Sequence, residues 1–146
     1  MSDTAETPQW MTDAAQDART LLGIDDGWRI VLELSDAPGG DAANNGAAAC
    51  DPVYLNATIT LSPNLQDDDD GRRVILHEML HVALSPLYRV LYLGTRHQAK
   101  ATRHALRDQY NDAEEQIIQR MSRAMLRQIK PPTGKGEDAD APIAAA

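Results

Sequence analysis

Val74-Ile75-Leu76-His77-Glu78-Met79-Leu80-His81-Val82-Ala83-Leu84 is the stretch on which the reading of this chain turns. Apolar residues on both sides of a polar core pattern mark a helix largely inside the protein. Within it, His77 and His81 stand four residues apart, on one helix face and roughly 6 Å apart along the axis. Two imidazoles so placed can reach one ion, and neutral imidazole nitrogen is a favoured ligand of Zn²⁺. Glu78 follows His77 directly and is turned about 100° around the helix, beside the position left for water. The pattern therefore predicts a zinc site with Glu78 as the catalytic general base. A buried helix whose histidines merely face a polar neighbour is the plain alternative.

Working outward, Asp67 to Asp70 offer an N-cap and negative charge at the positive end of the helix dipole, and Ser85-Pro86 is expected to end the helix. Before it, Thr7-Pro8 opens a first helix with Trp10, Met11, Ala14, Ala18, Leu21 and Leu22 at helical spacing, closed by Gly23. Trp28 to Leu34 alternates as a strand with Trp28, Ile30, Leu32 and Leu34 on one face. Residues 35–50, rich in Gly, Ala, Asn and Asp, read as a flexible loop. Val53, Leu55, Ala57, Ile59 and Leu61 alternate again, giving a second strand that Pro63 ends. Residues 86–98 fit a short helix or a loop wall. A last helix runs from about 99 to 130 and Pro131-Pro132 stops it. The expected organisation is one α+β domain over residues 1–130 and a disordered tail over 131–146.

Composition narrows the functional classes. The net charge of −8 opposes a phosphate backbone, so nucleic acid is not expected as a partner. The basic group Arg96, Lys100, Arg103 and Arg107 reads as a solvated helix face. With two Trp, four Tyr and no Phe, the core must be mainly aliphatic. The single Cys50 rules out a disulfide framework and a multi-cysteine zinc finger, and fits a reducing compartment. No signal peptide or 18-residue apolar run is evident, so a soluble, cytoplasmic protein without a membrane partner is expected.

A third zinc ligand must come from elsewhere. Leu84 and Leu87 stand where a metzincin would carry Gly and His, and Gly94-Thr95 is followed by Arg96-His97-Gln98 rather than the Asp of an aspzincin. A carboxylate on the last helix remains, and Glu114 and Glu115 precede Ile117, Ile118, Met121 and Met125. Helical projection puts Glu114 near the middle of that apolar stripe and Glu115 at its edge. His97 and His104 are further candidates, as ligand or as donor to the reaction's oxyanion. Tyr110 is a third candidate for the oxyanion donor.

In its order of strand, strand, Asp-rich cap, His77-Glu78-Met79-Leu80-His81 and Glu114-Glu115-Gln116-Ile117-Ile118, the chain resembles zinc metallopeptidases of phages and prophages. These are compact, gluzincin-like zincins distantly similar to ImmA/IrrE-type proteins. The resemblance spans about Trp28 to Met125. It implies a zincin-like fold with a small sheet, an edge strand beside the HExxH helix, here residues 53–61, and a C-terminal ligand helix. It implies Zn²⁺ as cofactor and a peptide or protein as substrate, which Asn56 and Thr58 on that edge would help to hold. For a phage-encoded chain the location would be the host cytoplasm. In such helices a bulky apolar residue and then a small one lie six and seven positions after the ligand; Met121 and Ser122 fit this from Glu115. Glu115 is thus the expected ligand, with Glu114 the alternative. Two other functions stay open: a regulatory ImmA-like protein acting on a repressor, and a non-catalytic phage structural or interaction protein stabilised by zinc.

Overall fold

A computed structural model of the chain describes residues 6–24 and 26–129. The expected tail over 131–146 lies outside the described residues. Helix α1 (Gln9–Leu22) follows Pro8, whose carbonyl accepts from Met11 N at 3.0 Å, so the cap falls one residue later than expected. Gly23 ends the helix at φ 67°, a left-handed conformation that glycine adopts without steric cost. Met11, Ala14, Ala15 and Ala18 form its buried stripe, and the small volume of the three alanines lets α1 lie closely against the HExxH helix.

Among the described residues, three strands form one sheet in the order β1-β3-β2. Strand β1 (Arg29–Leu34) pairs in parallel with β3 (Asn56–Leu61), with Ile30 opposite Ala57 and Leu32 opposite Ile59. Strand β2 (Gly46–Asp51) pairs antiparallel with the other side of β3, Ala48 opposite Ile59 and Cys50 opposite Ala57. Directly opposed residues share a face, so Gly46, Ala48 and Cys50 point the same way as the buried Ala57, Ile59 and Leu61.

Two expectations about this region are corrected. Residues 35–50 are not a featureless loop, since they hold a 3₁₀ turn (Pro38–Gly40) and β2. Residues 53–61 do not form the edge strand, because Pro52 to Leu55 make the turn between β2 and β3 and leave Val53 and Tyr54 exposed. The strand that remains, β3, is the middle one. Alanine and glycine carry little β-propensity, so β2 gives no local signal. It forms because β3 offers a free edge and α2 leaves room only for small side chains.

Helix α2 spans Asp69–Thr95, ten residues further than expected from Ser85-Pro86. Proline removes an amide donor and orphans the carbonyl four residues earlier. Here that carbonyl is Val82 O, and the Ser85 hydroxyl donates to it at 2.8 Å. The side chain replaces the missing bond, and the helix continues. Its start follows expectation: Asp68 is the N-cap, with Oδ1 accepting from Gly71 N at 2.8 Å, and Asp69 and Asp70 lie in the first turn. Residues 86–95, left open between helix and loop, are helical.

Helix α3 (Lys100–Met125) runs back along α2 and ends in a 3₁₀ turn at Leu126–Gln128. The core joins Met11, Ile59, Leu61, Ile75, Leu76, Met79, Leu80, Val82 and Ile118, and is aliphatic as composition requires. Among the described residues, α2 alone has the length and hydropathy of a membrane span. Its buried apolar residues Ile75, Leu76, Met79, Leu80 and Val82, however, pack inside this core.

Candidate metal centre

His77 and His81 emerge from α2 at the margin of the core, each 22% exposed, while Ile75, Leu76, Met79 and Leu80 anchor the helix beneath them. Their rings stand 5.0 Å apart between centroids and nearly edge to face. Both turn the same atom toward α3: His81 Nε2 lies 2.9 Å from Glu115 Oε1 and His77 Nε2 lies 3.5 Å from Glu115 Oε2. One carboxylate thus spans two imidazoles.

One ligand atom from each of His77, His81 and Glu115 lies within 4.8 Å of the other two. Around tetrahedral zinc such atoms sit roughly 3.3 Å apart, so small side-chain rotations suffice to close the set. Two imidazole nitrogens and one carboxylate oxygen match the three-ligand donor set of catalytic zinc sites. The residues present fit the ion.

Glu114, the alternative ligand, occupies a different place. Its Oε2 lies 3.4 Å from His81 Nδ1, on the other side of the ring, and its Oε1 accepts from the Tyr110 hydroxyl at 3.0 Å. Tyr110 also meets Tyr88, with centroids 5.7 Å apart. Burial, reinforced by Glu114, pushes the Tyr110 hydroxyl up to about 12, so it keeps its proton and donates a hydrogen bond to Glu114. That arrangement occupies the hydroxyl as a donor within α3. His97 and His104 are exposed, and His97 Nε2 faces Arg96 Nε at 3.2 Å. Neither belongs to the group that can share an ion.

Glu78 is 6% exposed and lines the same cleft as the two histidines. Burial, and then the charge of Glu115, raise its carboxyl to about 7. Desolvation also lowers the pKa of His77, helped by His81 and Arg73 and opposed by Glu115, which favours the neutral ring a metal requires.

The cleft has a volume of about 420 Å³, and Asn44, Gly46, Ala47 and Ala48 form the wall facing His77, Glu78, His81 and Glu115. A side recess of about 180 Å³ continues past His81, between Cys50, Ser85 and Tyr88. Burial and the charges of Glu114 and Glu78 push the Cys50 thiol up to about 11, so it is a neutral wall at physiological pH. Gly46 sets the width of the main cleft. A Cβ there would fall 2.9 Å from Glu78 Cγ and 3.0 Å from Val74 Cγ1, which only glycine avoids.

The β2 wall, the Ser85 bridge and Tyr88 escape the sequence reading. The run Gly46-Ala47-Ala48-Ala49 is the one signal that could have found the wall, since consecutive small residues permit close backbone approach. No protein-family model matches this chain, and neither do any curated protein or solved structure.

Proposed function

We propose that this chain is a zinc-dependent metallopeptidase with a zincin-like fold, in which β2 is the edge strand and α3 the ligand helix. One observation carries the reading: His77 and His81 converge on Glu115 while Glu78 lies buried beside them in an open cleft. Bound by these three side chains, zinc would supply Lewis acidity toward a scissile carbonyl and toward water.

The chain's own groups account for the remaining chemistry. Glu78, with its carboxyl raised toward neutrality, accepts a proton from water in the cleft and returns it to the leaving amine nitrogen. Strand β2 ends the sheet among the described residues, so its outer main-chain groups can pair with an extended peptide. Ala47 and Ala48 keep that wall low, and the recess beside His81 can receive a substrate side chain.

The test is the variant Glu78→Gln, assayed on a mixed peptide library by mass spectrometry beside metal analysis. Zinc content is expected to stay at the wild-type level while cleavage falls by at least 10³-fold. Cleavage at the wild-type rate would refute the role given to Glu78.

A further inference from the structure

The two adjacent glutamates touch the same histidine on opposite edges. Glu115 Oε1 lies 2.9 Å from His81 Nε2, and Glu114 Oε2 lies 3.4 Å from His81 Nδ1. A neutral imidazole carries one N–H, and a ring that ligates through Nε2 must carry it on Nδ1. An acceptor facing Nδ1 fixes that tautomer and the ring's orientation. Glu114 is suited to this by burial and restraint: it is 14% exposed against 46% for Glu115, and its second oxygen is held by Tyr110 at 3.0 Å. Tyr88 flanks the Tyr110 ring.

We propose that Glu114 is a positioning residue for the metal centre, holding His81 with Nδ1 protonated and Nε2 turned toward Glu115, and that Tyr110 in turn holds Glu114. This rests on the zinc site proposed above. Consecutive glutamates therefore divide the work: one completes the donor set and the other orients a member of it. His77 meets Glu115 through Nε2, so the effect of Glu114 falls on His81 rather than on both rings.

The experiment measures Zn²⁺ affinity of the full chain by chelator competition, together with the ring ¹⁵N and N–H signals of the zinc-loaded protein, for Glu114→Ala, Glu114→Gln, Tyr110→Phe and Glu115→Ala. Loss of an acceptor behind a ligating histidine weakens metal binding by about 10- to 100-fold. Glu114→Ala is expected in that range. Glu114→Gln, whose amide oxygen still accepts from Nδ1, should recover part of the loss, and Tyr110→Phe should weaken binding several-fold. In Glu114→Ala the His81 Nδ1–H signal should broaden through faster exchange while that of His77 holds. Wild-type affinity in Glu114→Ala, with Glu115→Ala unable to bind, overturns the positioning role and leaves the zinc site standing. A Glu114→Gln variant as weak as Glu114→Ala also overturns it. Absence of zinc binding by the wild-type chain sinks both readings.

Discussion

Arg72 is only 3% exposed, and its Nε lies 2.8 Å from Asp67 Oδ1, at the head of the helix that carries the histidines. Removing a carboxylate that binds a charge held that deep is costly, whereas an exposed pair contributes little. Arg73 and Asp70 make the comparison within the same turn, at 3.2 Å with Asp70 86% exposed. Asp67→Ala is therefore expected to lower unfolding stability by about 3 kcal/mol, and Asp70→Ala by well under ~1 kcal/mol, in urea titrations. Equal midpoints for the two variants would contradict this account of the helix start. Legibility at this scale follows spacing. His77 and His81 are readable because four residues make one helical turn. Glu114 and Glu115 are not separable, because both lie near one apolar stripe and their roles depend on the two edges of a ring supplied by another helix.

Elements are legible in the sequence where their stabilisation is local. Helix α1 follows its apolar spacing and its Gly23 stop, strand β1 its alternation, and β3 keeps the alternating Ala57, Ile59 and Leu61. Strand β2 was missed because nothing in Gly46-Ala47-Ala48-Ala49 favours a strand by itself; its register comes from β3 and its composition from the closeness of α2. The end of α2 was misplaced because Pro86 signals a break that the Ser85 hydroxyl repairs. These points make Gly46 the element-scale test of the cleft. Gly46→Val would set a side chain against Glu78 and Val74, and displacement of a catalytic group by about 1 Å can cost 100-fold in rate. Cleavage of whichever library peptide the wild type processes should fall at least tenfold with zinc content unchanged. Wild-type turnover in this variant would show that β2 does not define the cleft.

At the scale of the whole molecule, α1, the sheet and the first half of α2 share a single aliphatic core. The candidate centre lies at its edge, where α3 runs along the half-buried histidine face of α2. Sequence composition made the aliphatic core legible, because a chain without Phe has few other ways to fill it. The order of helical and alternating segments implies a mixed α+β class, which the strands and helices of the described residues bear out. The shape of the cleft is not legible, since it depends on where β2 and α3 each pack against α2, which no local pattern encodes. The claim on which all else depends is that His77, His81 and Glu115 share one ion. Elemental analysis of the purified full chain, dialysed against trace zinc, tests it directly beside a His77→Ala/His81→Ala double variant. One zinc per wild-type chain and none in the double variant are expected; a zinc-free wild type, or equal zinc in both proteins, would rule out the shared ion.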